Sequence, residues 1–561
     1  MFRRSRATPW HVEILEPRQM LSFSATDVGA VSLAAINNLG VAAGTANNHA
    51  AVERNGALID LGTLGGVTSR ANAINDLGQV VGSADLPGGT HHAFLITPQD
   101  TTGDGQPDVW FRDDDQNGVN DLMTDLGTLG GPNSEARGIN NAGQVVGRAD
   151  SGAAAGTFRA FVWDAGSGMQ NLGTFGLPVD PTGINSGSEA NAINNHGEVV
   201  GTVYSLWRGM LMNGLQGFRW DPQSGGSMLG SIYGPAREAT GINDAGQIVG
   251  NAGYVYASSV MSRWYVATDA FLYQNGAATN LGFATNVYSG FNVSINDNGQ
   301  IVGSNYLWQS GVRVNLNAVL DPSLALTISQ AADINNAGQI VAQATVSGQT
   351  HGFVLTADPT QPIYFLVTGF SAPVTAGQPG AFTVTAMNGL NAPAAGYTGT
   401  VHFTSSDPQA TLPVDYAFTP GDGGIHSFNA TLKTAGTQSI AVADTLSPGI
   451  TGIDAGILVA PAAASRMQVT APASVRAGRS FEIDVVMLDA YGNVATGYTG
   501  TLAFKSSDTS ATLPASYTFT AADSGVHAFT GIVLKRRRTQ TITISDTLNA
   551  RLQASLTFSV L

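Results

Sequence analysis

The sequence predicts an all-β fold in which a seven-bladed β-propeller precedes two β-sandwiches. Three observations support this prediction. A nine-residue phrase occurs seven times within the first 358 residues, a twelve-residue phrase after it occurs twice, and the chain has 69 glycines although only 12% of its 561 residues are charged. This composition is typical of many short strands joined by tight turns and disfavours long surface helices.

The phrase that occurs seven times is INDLGQVVG at 74–82. Its near-copies begin at six other Ile-Asn pairs, at Ile36, Ile139, Ile193, Ile242, Ile295 and Ile334. Successive pairs lie 38 to 65 residues apart. Intervals in this range are typical of architectures that stack one small sheet per repeat. We therefore interpret the first part of the chain as an array of seven similar units.

Each unit contains four segments with the pattern of short strands. In the second unit they are ANAIN, QVVGSA, HHAFLI and MTDLGTL, and DLG at 76–78 forms the first turn. Asn or Asp followed closely by Gly supplies the positive-φ positions of a hairpin turn, and the flanking Val and Ile suit a buried, pleated surface. Four antiparallel strands per unit predict a propeller blade. A β-solenoid built from the same repeats is the alternative architecture.

The fourth-strand phrase occurs only six times, beginning at Asp60, Asp125, Asn171, Met228, Asn280 and Asn315. The seventh unit ends in HGFVL at 351–355 without one, whereas TDVG at 26–29 precedes the first Ile-Asn pair. We predict that this N-terminal strand completes the seventh blade, because closing the ring removes free sheet edges. The predicted propeller covers residues 23–358.

After Pro359 the pattern changes. GYTGTVHFTSSD at 396–407 returns as GYTGTLAFKSSD at 497–508, an offset of 101 residues. Two domains rich in Thr and Val with alternating polarity, at 359–461 and 462–561, are typical of immunoglobulin-like sandwiches, which commonly act as spacers. The basic stretch KRRR at 535–538 falls on a hairpin turn of the second domain, where the sequence predicts a solvated basic turn, with a polyanion site as the alternative.

Charge and cysteine content exclude several classes of protein and site. The formal net charge is -15, which disfavours nucleic-acid binding because phosphate contacts need clustered Lys and Arg. The chain has no Cys, so it has neither a disulfide framework nor a thiolate zinc site. No apolar run approaches the roughly 18 residues of a transmembrane segment.

Residues 97–123 form an Asp-rich insertion between the third and fourth strands of the second unit. It contains two patterns in which oxygen ligands recur at short intervals around a Gly, which is the logic of a calcium loop. The predicted ligands are Asp113, Asp115, Asn117 and Asp121 in one pattern and Asp100, Asp104 and Asp108 in the other. Neither has the bidentate Glu of a full EF-hand. We predict a structural Ca2+ site, with a solvated acidic hairpin tip as the alternative.

Two adjacent units have long loops between their second and third strands, predicted on the face opposite the Asp-rich insertion. These loops carry a concentration of aromatic residues, namely Tyr204, Trp207, Tyr254, Tyr256, Trp264 and Tyr265. Exposed rings offer flat apolar surfaces to sugar or peptide partners. The alternative is that the rings pack the two loops against each other.

No enzyme motif is present. The sequence lacks a Gly-x-Ser-x-Gly elbow, a His-Glu-x-x-His helix and a phosphate-binding Gly-Lys loop. We therefore expect a protein that is not an enzyme. Carboxylates brought together from distant blades are the one route to catalysis that remains open, in the manner of glycoside hydrolases.

The phrases DLGTLGG, AINDLGQVVG and HHAF resemble the HAF-repeat proteins of bacterial exteriors, whose name-giving triplet stands here as His92, Ala93 and Phe94. The resemblance covers residues 23–358 and implies an extracellular location without a known chemistry. LEPRQMLS at 15–22 resembles the Leu-Glu-Pro-Arg sorting segment of large exported bacterial proteins, with Met20 in place of a Leu. The resemblance implies that residues 1–22 are a sorting segment, and a disordered tail is the alternative. Residues 359–561 resemble bacterial Ig-like modules of surface proteins.

Together these features predict an exported or cell-surface bacterial protein with a binding and structural role. Its propeller is expected to be presented on Ig-like spacers and stabilised by calcium, and its partner to be an extracellular glycan or protein. The alternatives are a carbohydrate-binding protein that uses the aromatic loops and a polysaccharide-active enzyme.

Overall fold

The computed structural model describes residues 22–152, 158–175, 184–207, 210–229, 236–257, 264–286, 293–370 and 373–561. Side chains within 184–186, 205–215, 236–237, 253–268 and 283–286 and at 322 are not included in this description. The fold is all-β, with 55% strand and 3% helix. The predicted sorting segment, residues 1–22, lies outside the described residues except for Ser22.

The chain divides into two compact units. The first runs to Ile363 and includes Asn388–Ala392, and the second comprises Tyr364–Met387 and Pro393–Leu561.

Short strands joined by tight turns build the first unit, as the repeat pattern predicts. In chain order they are β1 (Phe23–Asp27), β2 (Ser32–Ile36), β3 (Ala42–Ala46), β4 (His49–Arg54), β5 (Ala57–Asp60), β6 (Ser69–Ile74), β7 (Val80–Asp85), β8 (His91–Ile96), β9 (Met123–Asp125), β10 (Ser134–Ile139), β11 (Val145–Asp150), β12 (Phe158–Asp164), β13 (Gly168–Gly173), β14 (Ile184–Ile193), β15 (Val199–Trp207), β16 (Met210–Asp221), β17 (Gly225–Met228), β18 (Ala236–Ile242), β19 (Ile248–Ala257), β20 (Trp264–Gln274), β21 (Ala277–Asn286), β22 (Ser294–Ile295), β23 (Ile301–Gly303), β24 (Tyr306–Gln309), β25 (Val312–Asn315), β26 (Ile328–Ile334), β27 (Ile340–Val346) and β28 (Gln349–Ala357). A short helix, α1 (Leu316–Val319), follows β25.

These strands form seven four-stranded antiparallel sheets within the described residues. Sheets 1 to 6 each use four consecutive strands, starting from β2, β6, β10, β14, β18 and β22. Sheet 7 has the order β1-β28-β27-β26. Its outermost strand therefore comes from the beginning of the chain, with Phe23 opposite Ala357 and Asp27 opposite Phe353. The predicted closure of the seventh unit by the N-terminal strand is confirmed.

Neighbouring sheets bury their faces against each other. Between sheets 1 and 2, for example, Val52 and Ala43 pack with Val80 and Phe94, all of which are fully buried. The apolar residues of each repeat therefore serve the contact with the next sheet, and their burial is the main stabilising term of the array.

The repeated phrase forms the turn between the first two strands of each sheet. Its Ile is at most 9% exposed in all seven copies, and its Asn at most 4%. In the second copy, Asn75 Oδ1 accepts the N–H groups of Leu77 and Gln79 at 3.1 and 2.9 Å, which holds the turn closed. Gly78 follows at φ +73°, a conformation that favours glycine.

The second unit contains two modules with the same topology. Its strands, with the start of β29 and the end of β31 in the first unit, are β29 (Pro362–Thr368), β30 (Val374–Thr375), β31 (Pro379–Asn388), β32 (Thr400–Ser405), β33 (Tyr416–Ala417), β34 (Ile425–Thr431), β35 (Gly436–Asp444), β36 (Thr451–Ala460), β37 (Arg466–Thr470), β38 (Ser474–Val475), β39 (Ser480–Leu488), β40 (Thr501–Ser506), β41 (Tyr517–Thr518), β42 (Val526–Val533), β43 (Arg538–Asp546) and β44 (Gln553–Val560). Module 1 has sheets β29-β31-β34 and β30-β36-β35-β32-β33, and module 2 has β37-β39-β42 and β38-β44-β43-β40-β41. One hydrophobic core lies between the two sheets of module 2.

Candidate functional site

The seven sheets of the first unit are linked into a closed ring by the buried Asn of each repeat. Each of these side-chain amides donates to the backbone oxygen of the Asn in the next sheet, at 2.9 to 3.1 Å. The series runs Asn37, Asn75, Asn140, Asn194, Asn243, Asn296, Asn335 and back to Asn37. An open stack of the same repeats would leave its first and last members apart, so the hydrogen bonds describe a ring.

The residue after each of these asparagines forms a second ring beside the first. Each backbone N–H donates to the side chain of its counterpart in the next sheet, at 2.8 to 2.9 Å, through Asn38, Asp76, Asn141, Asn195, Asp244, Asp297 and Asn336. The two rings and their isoleucines line a cavity of about 190 Å³. Its polar groups hydrogen-bond to one another, so we assign the cavity to the closure of the ring.

These turns define one end of the ring, called here the Asn face. Alternate turns of an antiparallel sheet lie at opposite ends, so the insertion after β8 also belongs to the Asn face. The β15–β16 and β19–β20 hairpins lie at the other end, called here the hairpin face. The predicted separation of the insertion and the aromatic segments onto opposite faces follows from this topology.

The HAF and DLG phrases meet as a cross-strand pair between the third and fourth strands of a sheet. His49 lies 2.9 Å from Asp60, His92 lies 2.9 Å from Asp125, and His351 lies 3.0 Å from Asp27. The Asp of the phrase also accepts the N–H of the Gly two residues later, as between Asp125 and Gly127 at 2.8 Å. These recurrent polar residues fix turns and strand pairs, which accounts for them without a ligand.

Besides the Asp-rich insertion of sheet 2, departures from the repeat concentrate in sheets 3 to 5. On their first strands, Glu135, Glu189 and Glu238 each stand four residues before the Ile of the repeated phrase. Arg137 and Arg148 lie between the first two of these carboxylates. These five residues are called here the charged cluster. No sequence motif marks it, because its members belong to three separate repeats.

Both arginines of the charged cluster bridge neighbouring sheets. Arg148 Nε and Nη1 lie 2.9 Å from carboxylate oxygens of Glu135 and Glu189. Arg137 Nη1 lies 2.6 Å from Glu189, and its Nη2 lies 3.4 Å from Glu135. All four side chains are between 17 and 27% exposed, so these ion pairs are only partly screened by water.

The third carboxyl group of the charged cluster is in a different electrostatic state. Burial raises the pKa of Glu238, and the negative charge of Glu189 raises it further against the opposing effect of Arg137. Burial would also raise the pKa of Glu135, but the guanidinium groups of Arg137 and Arg148 lower it below its usual value. One cluster therefore contains a firmly ionised carboxylate and a carboxyl group that holds its proton more tightly.

The predicted long loops of the fourth and fifth units are extended strands instead. Strands β15 and β16 have 9 and 12 residues and β19 and β20 have 10 and 11, whereas β3 and β4 of sheet 1 have 5 and 6. Backbone pairing continues to Trp207 opposite Met210 and to Ala257 opposite Trp264. The prediction of loops was wrong because these polar and aromatic stretches continue the register of the sheets below.

Tyr204 is the predicted aromatic residue that the structure connects to the charged cluster. Its ring lies over Gly187 on the paired strand β14, at a position where a Cβ atom would overlap the ring. Burial, followed by the negative charge of Glu189, raises the pKa of Tyr204 to about 12. This ring is therefore part of the wall of the cluster and not a free platform.

The other five predicted aromatic residues lie on the extended strands, and Tyr256 stands opposite Tyr265 in the backbone register. Their side chains lie outside the described part of the chain, namely those of Trp207, Tyr254, Tyr256, Trp264 and Tyr265.

The predicted metal ligands divide between two similar loops, 100–108 and 113–121. Asp100 accepts N–H groups of Gly103 and Gly105 at 2.6 and 2.8 Å, and Asp113 accepts those of Asn117 and Gly118 at 3.0 and 2.9 Å. The last Asp of each loop accepts a hydrogen bond from the backbone N–H of the second residue of the same loop.

Asp108 accepts from Thr101 N at 3.0 Å and Asp121 from Asp114 N at 2.7 Å. Asp104 and Asp115 accept from the N–H groups of Gln106 and Asn117. The oxygen-only donor set suits Ca2+. Across the described residues, no group of three or more His, Cys, Asp or Glu side chains is arranged to hold a metal ion, because these carboxylates face backbone N–H groups.

Comparisons with known proteins add little to this description. No protein-family model matches the chain, and no curated protein sequence is significantly similar to it. Among the described residues, no helix is long and apolar enough to span a membrane.

Solved structures that share local similarity include the Escherichia coli adhesin FdeC (17% identity, 40% of this chain and 74% of that one, TM-score 0.22). The Yersinia pseudotuberculosis adhesin InvE (16% identity, 35% and 58%, TM-score 0.18) and a Bacteroides vulgatus β-glycosidase (14% identity, 35% and 25%, TM-score 0.17) are also similar in part. The chain spans only a quarter of the glycosidase and 58% of InvE.

Proposed function

We propose that this protein is an exported bacterial binding protein of the cell surface or the extracellular space. In this proposal the ring of seven sheets is a seven-bladed β-propeller of the HAF-repeat type, and the two modules that follow are Ig-like spacers. The closed ring of asparagine hydrogen bonds supports the propeller. The two sheets of each module, with a hydrophobic core between those of module 2, support the sandwiches.

The proposed ligand site lies on the hairpin face of sheets 3 to 5. One observation carries this proposal: two independent departures from the repeat are neighbours, because the charged cluster spans sheets 3 to 5 and the extended hairpins belong to sheets 4 and 5. The repeated residues are accounted for by turns, pairs and packing. Residues that break the repeat are therefore the ones available for a function specific to this chain.

A glycan is the ligand class that this site fits best. Carboxylates and guanidinium groups held in place offer paired hydrogen bonds to neighbouring hydroxyl groups of a sugar, and aromatic side chains offer a flat apolar face to its ring. Arg137 and Arg148 are each fixed by two carboxylates, so little side-chain entropy is lost when a ligand binds.

Binding rather than catalysis is proposed for the charged cluster. A general base or nucleophile needs a carboxylate free to accept a proton or to attack, but Glu135 and Glu189 are each paired with both arginines. Glu238 has a raised pKa and could supply a proton. The charged cluster contains no unpaired carboxylate that could act as base or nucleophile beside it.

Calcium is the proposed stabiliser of the insertion on the Asn face. The two loops at 100–108 and 113–121 have the same arrangement, in which a first and a last Asp accept N–H groups of the loop. The carboxylates of each loop repel one another without a cation, so an ion that replaces part of these hydrogen bonds would stabilise the loop.

The glycan proposal is tested with Trp207→Ala/Trp264→Ala on an array of neutral glycans. The proposal predicts that the wild-type chain binds a defined set of glycans and that the double variant loses this signal without a lower melting temperature. Trp308→Phe on β24 of sheet 6 is the control, because it changes a Trp away from the proposed site. Equal binding by the double variant would refute the role of these hairpins.

A further inference from the structure

One end of module 2 brings two basic loops together. Gly478 N donates to the backbone oxygen of Leu534 at 2.9 Å, which places the loop RAGR at 476–479 beside the turn KRRR at 535–538. The pair contributes six cationic side chains, all exposed: Arg476, Arg479, Lys535, Arg536, Arg537 and Arg538. These six residues are called here the basic tip. The sequence alone favours a solvated turn at KRRR over a polyanion site and does not show the second loop, since the two loops are about 60 residues apart.

Module 1 provides an internal comparison for the basic tip. Its equivalent loops are TAGQ at 375–378 and KTAG at 433–436, joined by the same hydrogen bond from Gly377 N to Leu432 O at 2.8 Å. Only Lys433 is cationic there. Module 1 therefore forms these two loops with a single cationic side chain. The fold does not require the other five cationic side chains of module 2.

An aspartate anchors the turn in the same way in both modules. Asp407 accepts the N–H groups of Lys433 and Thr434, and Asp508 accepts those of Lys535 and Arg536 at 2.6 and 2.9 Å. Burial would raise the pKa of Asp508, but these bonds and one from Ser510 lower it, so it stays ionised. It offsets one positive charge of the basic tip and leaves a net excess of five.

Arg538 is retained at a position that disfavours it. Its φ is +107°, and the equivalent residue of module 1 is Gly436 at +115°. A side chain strains the backbone in this region, which glycine adopts freely. The turn would be more stable with glycine, so the fold itself does not account for the cation at this place.

In module 1 the same end is an interface. Asn493 of module 2 donates to Lys433 O at 2.7 Å and accepts from Ala435 N at 2.9 Å. The corresponding end of module 2 presents the basic tip to solvent. The six exposed cations of this end therefore mark a partner for it as anionic.

We propose that the basic tip binds a linear anionic polysaccharide. Guanidinium groups match carboxylate, sulfate and phosphate groups with paired hydrogen bonds. The two loops contain only Ala and Gly besides the cations, so they have no aromatic platform for bases.

The test uses the full chain and the variant Arg536→Thr/Arg537→Ala/Arg538→Gly, which gives the turn the sequence of module 1. We expect this variant to fold, because module 1 forms the same turn with this sequence. Glycine at residue 538 relieves the backbone strain there. Its control is Arg466→Gln/Lys505→Gln/Arg551→Gln, which removes the same charge from other exposed positions of module 2. Binding to heparin, polygalacturonate, neutral dextran, anionic phospholipid vesicles and single-stranded DNA is measured at low and high salt by calorimetry.

The proposal predicts that the wild-type chain and the control bind both polyanions and not dextran, more weakly at high salt. The turn variant binds at least tenfold more weakly and melts no lower than the wild type. Equal binding by the turn variant, or an equal loss in the control, would overturn the proposal. Preference for anionic phospholipid vesicles or single-stranded DNA over both polysaccharides would overturn the assigned partner. None of these results depends on the glycan site of the first unit.

Discussion

The side-chain amide of Asn335 donates to the backbone oxygen of Asn37 at 2.9 Å, across 298 positions of the sequence. This bond joins the last repeat to the first. Asn335 is 4% exposed, and its Oδ1 also accepts the N–H of Gln339 at 2.9 Å. The same side chain therefore closes its own turn and the whole ring.

Replacing Asn335 by Ala is expected to lower the free energy of unfolding of the first unit. The change leaves the partly buried N–H of Gln339 without its partner, and an unsatisfied group of this kind costs about 1–3 kcal/mol. It also removes one of the two hydrogen bonds to the Asn37 oxygen, which keeps the bond from Gly40 N at 3.1 Å. All seven Trp residues precede Ile363, so Trp fluorescence during urea unfolding reports on this unit. Asn298→Ala, which removes an exposed hydrogen bond to Asn336, should cost less than about 0.5 kcal/mol. Equal losses for the two variants would contradict the role assigned to the buried ring.

Glu238→Gln is expected to raise the melting temperature of the first unit at pH 7. The folded-state pKa of Glu238 is raised above its unfolded value, so the ionised form opposes folding at neutral pH. Stability is regained as the pH falls through the raised pKa, and below about pH 4 the variant and the wild type should melt together. A lower melting temperature at pH 7 would show that Glu238 is ionised and well paired.

Glu135→Gln should have the opposite effect at pH 7. Arg137 and Arg148 lower the folded-state pKa of Glu135, so its ionised form stabilises the fold above the unfolded pKa, and this contribution is lost as the pH falls through the folded pKa. The melting temperature of the variant should therefore fall at pH 7 and approach the wild-type value in acid. A rise at pH 7 would contradict the pairing seen in the charged cluster.

Most of the fold could be predicted from the sequence, because it follows from local and repeated signals. Asn-x-Gly turns, alternating apolar residues and the DLG phrases predicted the strands, and the missing seventh DLG predicted the pairing of β1 with β28. The charged cluster was missed because it is formed by single residues of three repeats. Aligning the repeats on their Ile would have shown Glu135, Glu189 and Glu238 at one position. The inward placement of Tyr204 depends on Gly187 in another strand, which no local pattern shows.

Tyr397→Phe is expected to lower the stability of the second unit by about 1.5–3 kcal/mol. Its buried hydroxyl donates to Asp444 at 2.6 Å, and a hydrogen bond to a charged group contributes about that much. Tyr498 makes the equivalent bond to Asp546 in module 2, so Tyr498→Phe is the matched test. Calorimetry of the full chain measures both variants. A change below about 0.5 kcal/mol in either would show that the bond only orients the ring.

Calcium is expected to raise the melting temperature of the first unit, and excess chelator to reverse the rise. A ligand that binds only the folded state stabilises it by about 2.7 kcal/mol at a hundred times its Kd. Asp113→Asn/Asp115→Asn should reduce this shift, because it removes two anionic ligands of the loop at 113–121. Without a shift in the wild type, the insertion is an acidic loop held by its own backbone hydrogen bonds.

The central claim, that recognition resides where the repeats depart from one another, is tested most directly by shortening the hairpins of sheets 4 and 5. Sheet 7 shows the shorter form, in which VSGQ at 346–349 closes the pair Thr345 and Thr350. The same four residues can replace 205–214 and 254–267, since Tyr204 pairs with Leu215 and Gly253 with Thr268 in the equivalent register.

Neutral-glycan binding is then compared among the wild type, the shortened variant and Asp113→Asn/Asp115→Asn on the opposite face. We predict that shortening removes binding while the asparagine rings keep the melting temperature within a few degrees, and that the variant of the Asn face binds like the wild type. Undiminished binding by the shortened variant would contradict the claim.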